Sequence, residues 1–201
     1  SSLGTVLLSA TMQQAGKQPF LTMAQDLVFT PLGLTATNSE YHFTDTSNFA
    51  SFYWNDKGRQ SVVKPWRSVD LSHRLAGGGF VSTPSELVKM GSQVMNDEFI
   101  SKQTRQAFWT PTPLADGSMP PHNYAVGWRV IEYDLGNQLG KTTVVNHGGV
   151  SRGSQSWLML LPDYEMTVAI NINANTHVFW DFASVSMEIA KAFITAEINE
   201  E

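Results

Sequence analysis

Apolar residues recur with one spacing in the first half of this chain and another in its last third, and no other feature constrains the fold as much. Leu3, Val6, Leu7 and Ala10 stand at i, i+3, i+4 and i+7, one face of a helix, and Gly16 closes the run. Pro19 opens a second helix with an apolar face of Phe20, Met23, Ala24, Leu27 and Val28, stopped by Thr30-Pro31 and Gly33. Thr83-Pro84-Ser85-Glu86 reads as a capping box with proline at the first helical position, and Leu87, Met90, Gly91, Val94 and Met95 continue it as one face. A short helix over 100–108 ends at Thr110-Pro111. Further on the spacing becomes two. Tyr124, Val126, Trp128 and Val130 alternate, as do Thr143 with Val145, and Met166 and Val168 with Ile170. Pro162-Asp163, between 153–161 and 165–171, is a hairpin signal. Phe182, Val185, Ile189, Ala190 and Phe193 give a last helix.

Helices followed by an antiparallel meander under a covering C-terminal helix predict an α+β protein. The mainly helical part, 1–111, contains an aperiodic stretch over 36–74 in which Tyr41, Phe43, Phe49, Phe52, Tyr53, Trp54 and Trp66 scatter among polar residues. A loop of that length rich in aromatics is expected to pack. Strands and the last helix occupy 112–201. The first residues already follow the helical pattern, without an initiator Met or a leader, so we expect the sequence to be a piece of one larger domain.

Composition narrows the function. With 201 residues, 42% hydrophobic and 15% charged, the chain can bury a core, which excludes wholesale disorder. Thirteen Lys and Arg against 18 Asp and Glu, a net charge of −5, leave no basic footprint for nucleic acid. The longest apolar run, 157–161, cannot span a bilayer. The chain has no Cys, which removes thiol catalysis and Cys-based metal sites. His42, His73, His122, His147 and His177 lie far apart without ligand spacing, so neither metal nor cofactor is expected.

Three short segments invite a chemical reading. Ser61-Val62-Val63-Lys64 matches the Ser-x-x-Lys pattern of serine acylases, but that chemistry needs a helical turn. Pro65 pushes Lys64 out of the helical region and two valines weaken the turn, so the match reads as a decoy. Gly77-Gly78-Gly79 could cradle a phosphate, yet no dinucleotide spacing accompanies it, and a tight backbone passage into the next helix is the better reading. His147-Gly148-Gly149 follows a strand over 142–146 and precedes one bearing Ser154 and Ser156. Paired glycines admit a substrate to the backbone, whose N–H groups can hold an oxyanion, and the His can move a proton or bind a carboxylate. An exposed turn with an incidental His fits the spacing equally well.

His147-Gly148-Gly149-x3-Gly153-x2-Ser156, running into Leu160-Leu161-Pro162, resembles the third active-site motif of the serine β-lactamase and penicillin-binding-protein superfamily, in its esterase-like and D-aminopeptidase-like branches. Ala76-Gly77-Gly78 with Ser82-Thr83-x2-Glu86-Leu87 resembles the family's Ala-Gly-Gly and Ser-Thr-x-x-Asp-Leu segment. Tyr124-Ala125-Val126-Gly127-Trp128 resembles its Tyr-Gly-x-Gly-Trp strand. Ser1-Ser2-Leu3-Gly4 resembles the residues after the Tyr in its Tyr-Ser-Asn motif, and Pro31-Leu32-Gly33-Leu34-x2-Thr37 its Pro-Leu-Gly-Met-x-x-Thr. The five segments occur in the family's order along essentially the whole chain.

The resemblance implies an acyl-serine hydrolase acting on an ester or amide, whether a β-lactam, a peptide or a simple ester. Its Ser-x-x-Lys nucleophile and its Tyr would lie upstream of Ser1, so this chain alone would be catalytically silent. His147 and the Val150 backbone N–H, an oxyanion-hole donor, would be catalytic. Gly148, Gly149, Ser154 and Ser2 would bind substrate, with Ser2 standing where the family usually has Asn. A non-catalytic binding or scaffolding module on the same fold is the alternative. The family's sheet includes strands from its N-terminal part, which implies an uncovered edge here and either self-association or a missing N-terminal segment. The resemblance is compatible with export to the periplasm or outside the cell. His147 is expected at a strand end, facing a cleft shared with Val150 and the strand around Ser154 rather than the core.

Overall fold

The structure, a computed structural model, describes residues 1–55, 63–65, 70–136, 139–151 and 153–200. Ser61 of the Ser-x-x-Lys match and Trp66 lie outside these residues.

Helix α1 (Ser2–Gly16) starts where the Ser1 hydroxyl accepts from the Gly4 N–H at 3.4 Å. Gly16 is its last residue rather than its left-handed cap; Lys17 takes that conformation at φ 52°. The glycine serves a close approach instead, because a Cβ there would stand 2.6 Å from the Met23 sulfur on α2 (Phe20–Ala24). From α2 the chain passes into a π-helical turn, Gln25–Phe29. The wider turn rotates the face. Phe29, Leu32 and Leu34 become buried, while Leu27, predicted to face inward, is 66% exposed. The apolar stripe of α1 is also left open, with Leu3 79% and Leu7 69% exposed and no residue of the helix buried.

In the aperiodic region, β1 (Asn38–Ser39) is short, and β2 (Tyr53–Asn55) and β3 (Val63–Pro65) pair antiparallel. The Tyr41 hydroxyl donates to Asp70 and accepts from the Leu71 and Ser72 N–H groups, tying the base of the aromatic loop. Asn173 holds its other end, donating to the Ser51 carbonyl at 2.9 Å and accepting from the Tyr53 N–H at 3.1 Å. Helix α3 (Leu75–Gly78) leads into β4 (Phe80–Val81), which pairs with β1.

Helix α4 (Pro84–Met95) is capped by Thr83, whose hydroxyl accepts from the Glu86 N–H at 3.2 Å. The predicted capping box is half realised. The Glu86 carboxylate turns away and accepts from the Thr35 and Ala36 N–H groups, at 2.7 and 2.8 Å, and from the Thr37 hydroxyl at 2.5 Å. Thr37 also meets Ser82 at 2.7 Å, so two segments 45 residues apart in the chain close on one carboxylate. Helix α5 (Lys102–Trp109) follows, its N-cap Ser101 accepting from Thr104.

The sheet is an antiparallel meander of β5 (Arg129–Asp134), β6 (Lys141–Ser151), β7 (Ser154–Leu161) and β8 (Met166–Ile172), in spatial order β5-β6-β7-β8. Helices α6 (Phe179–Ala183) and α7 (Val185–Glu200) cover one face. There Val144, Trp157, Met159 and Val168 pack on Phe182, Met187, Ala190 and Ile194. On the other face Val145, Leu158 and Leu160 meet Leu87, Met90 and Val94 of α4, with Trp109, Trp128 and Val130. Gly91 lets α4 sit close, since a Cβ there would stand 2.6 Å from a Thr167 methyl. The fold is the α+β arrangement the sequence predicts.

Two strand boundaries differ from the sequence reading. Tyr124–Trp128 alternates but is no strand. Gly127, at φ 80°, reverses the chain, Ala125 donates to the Trp128 carbonyl at 2.7 Å, and β5 begins at Arg129. Conversely, the strand beginning near Thr142 does not stop at Asn146. It runs through both glycines to Ser151, because β7 pairs with it out to Ser151↔Ser154. His147 therefore lies inside a strand, not at its end. Among the described residues no helix is long and apolar enough to cross a membrane.

Candidate active site

The geometry of the site follows from where β5 stops. β5 pairs with β6 only as far as Arg129↔Asn146, whereas β7 accompanies β6 to Ser151. From His147 to Ser151, therefore, β6 pairs with a strand on one side only among the described residues. Ser151 and Ser154 flank a two-residue connection and must exchange both of their hydrogen bonds. The antiparallel alternation then makes Gly149↔Ser156 and His147↔Leu158 bonded pairs as well. The residues between, Gly148 and Val150, turn their N–H and C=O groups toward the side β5 has vacated. Among the described residues nothing accepts from the Val150 N–H. Its side chain, 64% exposed, belongs to the opposite face from His147.

Side chains sort by face. His147 and Gly149 share the α4 face with Val145, while Gly148 shares the α7 face with Val144. The two glycines differ accordingly. A Cβ on Gly148 would lie 2.6 Å from the Phe179 ring and 2.8 Å from Trp157. A Cβ on Gly149 would meet nothing within 4 Å. Gly148 makes room for the core, and Gly149 leaves the surface beside His147 open.

His147 is held by the Tyr124–Trp128 turn. Its Nδ1–H donates to the Gly127 carbonyl at 2.5 Å, and its ring meets Tyr124 edge to face at 6.0 Å. This bond fixes the tautomer and leaves Nε2 as the free lone pair. The protein mass around the ring desolvates it and lowers its pKa below 6.5; the Gly127 bond opposes this, while Arg129 adds to the lowering. Solvent still reaches the residue, which is not packed in the core. Arg129 also lies over the Tyr124 ring, 5.9 Å from its centroid. By sequence, Tyr124 and Gly127 belong to a strand-like motif; that motif is the signal that could have linked them to His147.

Ser2 and Ser154 are placed differently. Ser2 opens α1, and Gly77 admits it closely, since a Cβ on Gly77 would stand 2.8 Å from the Ser2 carbonyl oxygen. Ser154 is on the face of His147 but at the hairpin end, four pairs further on, about 13 Å along the strands. Its carbonyl accepts from Asn175 at 3.2 Å. Ser156 stands nearer, directly across from Gly149. Among the described residues no three of His, Cys, Asp or Glu gather as a metal site.

A family model described as Beta-lactamase matches residues 1–184. The human mitochondrial serine beta-lactamase-like protein LACTB is 29% identical over an aligned length of 189, a match that covers 85% of this chain and 34% of that protein. Penicillin-binding protein 4* of Bacillus subtilis is 24% identical over an aligned length of 177, a match that covers 84% of this chain and 38% of that protein. The chain thus spans about a third of the length of these relatives. Among solved structures, the D-amino acid amidase of Ochrobactrum anthropi SV3, complexed with L-phenylalanine amide, superimposes with a TM-score of 0.73 at 21% identity, over 100% of this chain and 57% of that one. An octameric penicillin-binding protein homologue from Pyrococcus abyssi gives 0.70 at 18% identity, over 96% of this chain and 42% of that one.

Proposed function

The chain belongs to the Beta-lactamase family, and from that premise we propose that it forms the acyl-binding half of a serine hydrolase whose nucleophile is carried by a segment preceding Ser1. The observation that carries this reading is the vacated edge of β6. The Val150 N–H points outward there, three residues from His147 and next to an open Gly149.

In this reading the substrate lies along that edge. Its scissile carbonyl oxygen takes the Val150 N–H, a donor already aimed and needing no reorganisation as charge develops. The serine attacks, an acyl-enzyme forms, and water releases the acyl group. His147 works through Nε2, because Nδ1–H is committed to Gly127. Its lowered pKa keeps the ring neutral near pH 7, ready to accept a proton from the attacking group and return it to the leaving group. Tyr124 walls the ring on one side. The exposed stripe of Leu3 and Leu7, and the outer edge of β8, are where the preceding segment or a second copy would pack.

Alone, the 201-residue chain is expected to be silent toward nitrophenyl esters and a chromogenic cephalosporin. In the protein that includes the preceding segment, His147→Ala should lower kcat/KM by roughly two orders of magnitude, with little change in stability. Full activity in that variant would remove His147 from the mechanism. Absence of any acyl-enzyme mass shift in the unmodified protein would favour a binding module on this fold.

A further inference from the structure

We propose that Asn175 is a positioning residue for the oxyanion donor: it clamps the end of the β6–β7 hairpin and so holds the Val150 N–H on its aim. This rests on the acyl-hydrolase reading above, which gives that N–H its task. The need for a clamp follows from the register. β5 leaves β6 after Arg129↔Asn146, and β8 leaves β7 after Gln155↔Ile172. The last row, Ser151↔Ser154, therefore belongs to two strands alone among the described residues. A two-stranded ribbon has little stability of its own, and its twist is the least constrained of any sheet. The peptide that carries the Val150 N–H bonds to β7 through the Gly149 carbonyl, so its aim follows that twist. Gly148 and Gly149, just before it, stiffen the backbone least.

Asn175 lies just past the end of β8 and takes over where that strand stops. Its Nδ2 donates to the Ser151 carbonyl at 2.9 Å and to the Ser154 carbonyl at 3.2 Å. Its Oδ1 accepts from the Gly153 N–H at 2.7 Å. One side-chain amide thus engages both of its protons and its oxygen with three backbone groups of a single turn. Closing the hairpin does not require this, because a two-residue connection bonded at Ser151↔Ser154 is closed already. The next residue fixes the clamp to the row of the donor. The buried Gln155 Oε1 accepts from the Thr176 N–H and from its hydroxyl, each at 3.0 Å, and Gln155 stands directly across from Val150. A donor held in this way needs no adjustment when charge develops on the substrate oxygen.

The same segment supplies its own control. Gly153 also backs onto the aromatic loop, where a Cβ would stand 2.9 Å from the Tyr53 nitrogen. That loop hangs from Asn173, whose Nδ2 donates to the Ser51 carbonyl at 2.9 Å. Two asparagines on one segment therefore hold two different things, the loop and the hairpin end, and each can be released without the other.

The test combines ¹⁵N relaxation on the 201-residue chain with kinetics on the protein that includes the preceding segment. Asn175→Ala should lower the Val150 order parameter from about 0.85 toward 0.6 and leave Val145 rigid. Asn173→Ala should leave Val150 as rigid as in the parent. In the longer protein, Asn175→Ala should lower kcat per acylated site about tenfold or more, with KM within about twofold. A variant that was merely less stable would lose active sites and keep the rate of those that remain. Should Asn175→Ala fail to fold, Asn175→Asp keeps the acceptor for Gly153, removes both donors and carries the same expectations. A Val150 order parameter that stays at the parent's value in a folded Asn175 variant overturns the proposal and spares the hydrolase reading. Equal loosening of Val150 by Asn173→Ala, or an unchanged kcat per acylated site, also overturns it. Failure of the hydrolase reading would appear separately, as full activity of His147→Ala in the longer protein.

Discussion

On the α7 side of β6, Gly148 lies beneath Phe179 and Trp157, in a layer of apolar contacts that continues to Met187 and Ile194; on the α4 side, Gly149 faces open space beside a tethered histidine. At its glycine pair one strand thus serves the core on the Gly148 side and a cleft on the Gly149 side. Its backbone edge serves neither neighbour once β5 has ended. A Gly-Gly pair therefore need not have one function. A single missing Cβ can be demanded by packing on one face and by access on the other.

The largest effect expected from this division falls on the edge. Val150→Pro removes one N–H that the sheet does not use, and proline is tolerated where that N–H faces away from the ladder. In the longer protein it should lower kcat by roughly 10²–10³ while the melting temperature stays near that of the parent. A collapse of folding together with activity would mean that the N–H is engaged within the sheet.

The paired glycines offer a sharper contrast with smaller magnitudes. Gly148→Ala drives a methyl into two rings and should cost roughly 1–3 kcal/mol in urea unfolding. Gly149→Ala meets nothing and relieves the flexibility of a glycine within a strand, so it should be neutral or stabilising by about 0.5–1 kcal/mol. Equal losses in both variants would erase the distinction between the faces.

The pH dependence is smaller still. His147 has a folded pKa depressed below 6.5, so the unfolded chain takes up that proton first. Its effect is absent above about 6.5 and grows as a loss of stability when the pH falls below that value. Glu86 acts at lower pH. Burial alone would raise its pKa, but the bonds from Thr37, Ala36 and Thr35 outweigh burial and hold it below 4.5. The stability it contributes is complete above about 4.5 and is lost as the pH falls further. Urea midpoints between pH 8 and 5 should therefore fall slightly, and His147→Ala should flatten that part of the curve. An unchanged slope in the variant would assign the loss to other groups.

Much of the fold is legible in the residues because local signals and tertiary packing agree there. Thr83-Pro84 caps α4 and Pro162-Asp163 turns β7 into β8, while the predicted last helix is realised in part: Ala190 is buried, but Phe182 belongs to the separate α6, and Val185 and Phe193 are 49% and 63% exposed. The failures have physical causes. The stripe of α2 breaks because the π-helical turn at Gln25–Phe29 shifts its phase, and local periodicity carries no sign of that. The alternation at Tyr124–Trp128 imitates a strand, but Gly127 at positive φ makes it the turn that holds His147. His147-Gly148-Gly149 reads as a strand end because glycines usually interrupt strands, whereas here β7 pairs with them throughout. Glu86 fits a capping box by spacing, yet three donors from 35–37 compete for it and win. The site is legible as residue types. Which atoms face the cleft depends on register, which no single segment of the chain specifies.

Everything proposed for the site depends on the Val150 N–H facing a vacated edge. Amide hydrogen exchange on the 201-residue chain, read residue by residue by NMR, tests this without requiring activity. An alternation along one strand is expected: slow exchange at His147, Gly149 and Ser151, which bond to β7, and fast exchange at Gly148 and Val150. Protection of Val150 equal to that of Gly149 would contradict it.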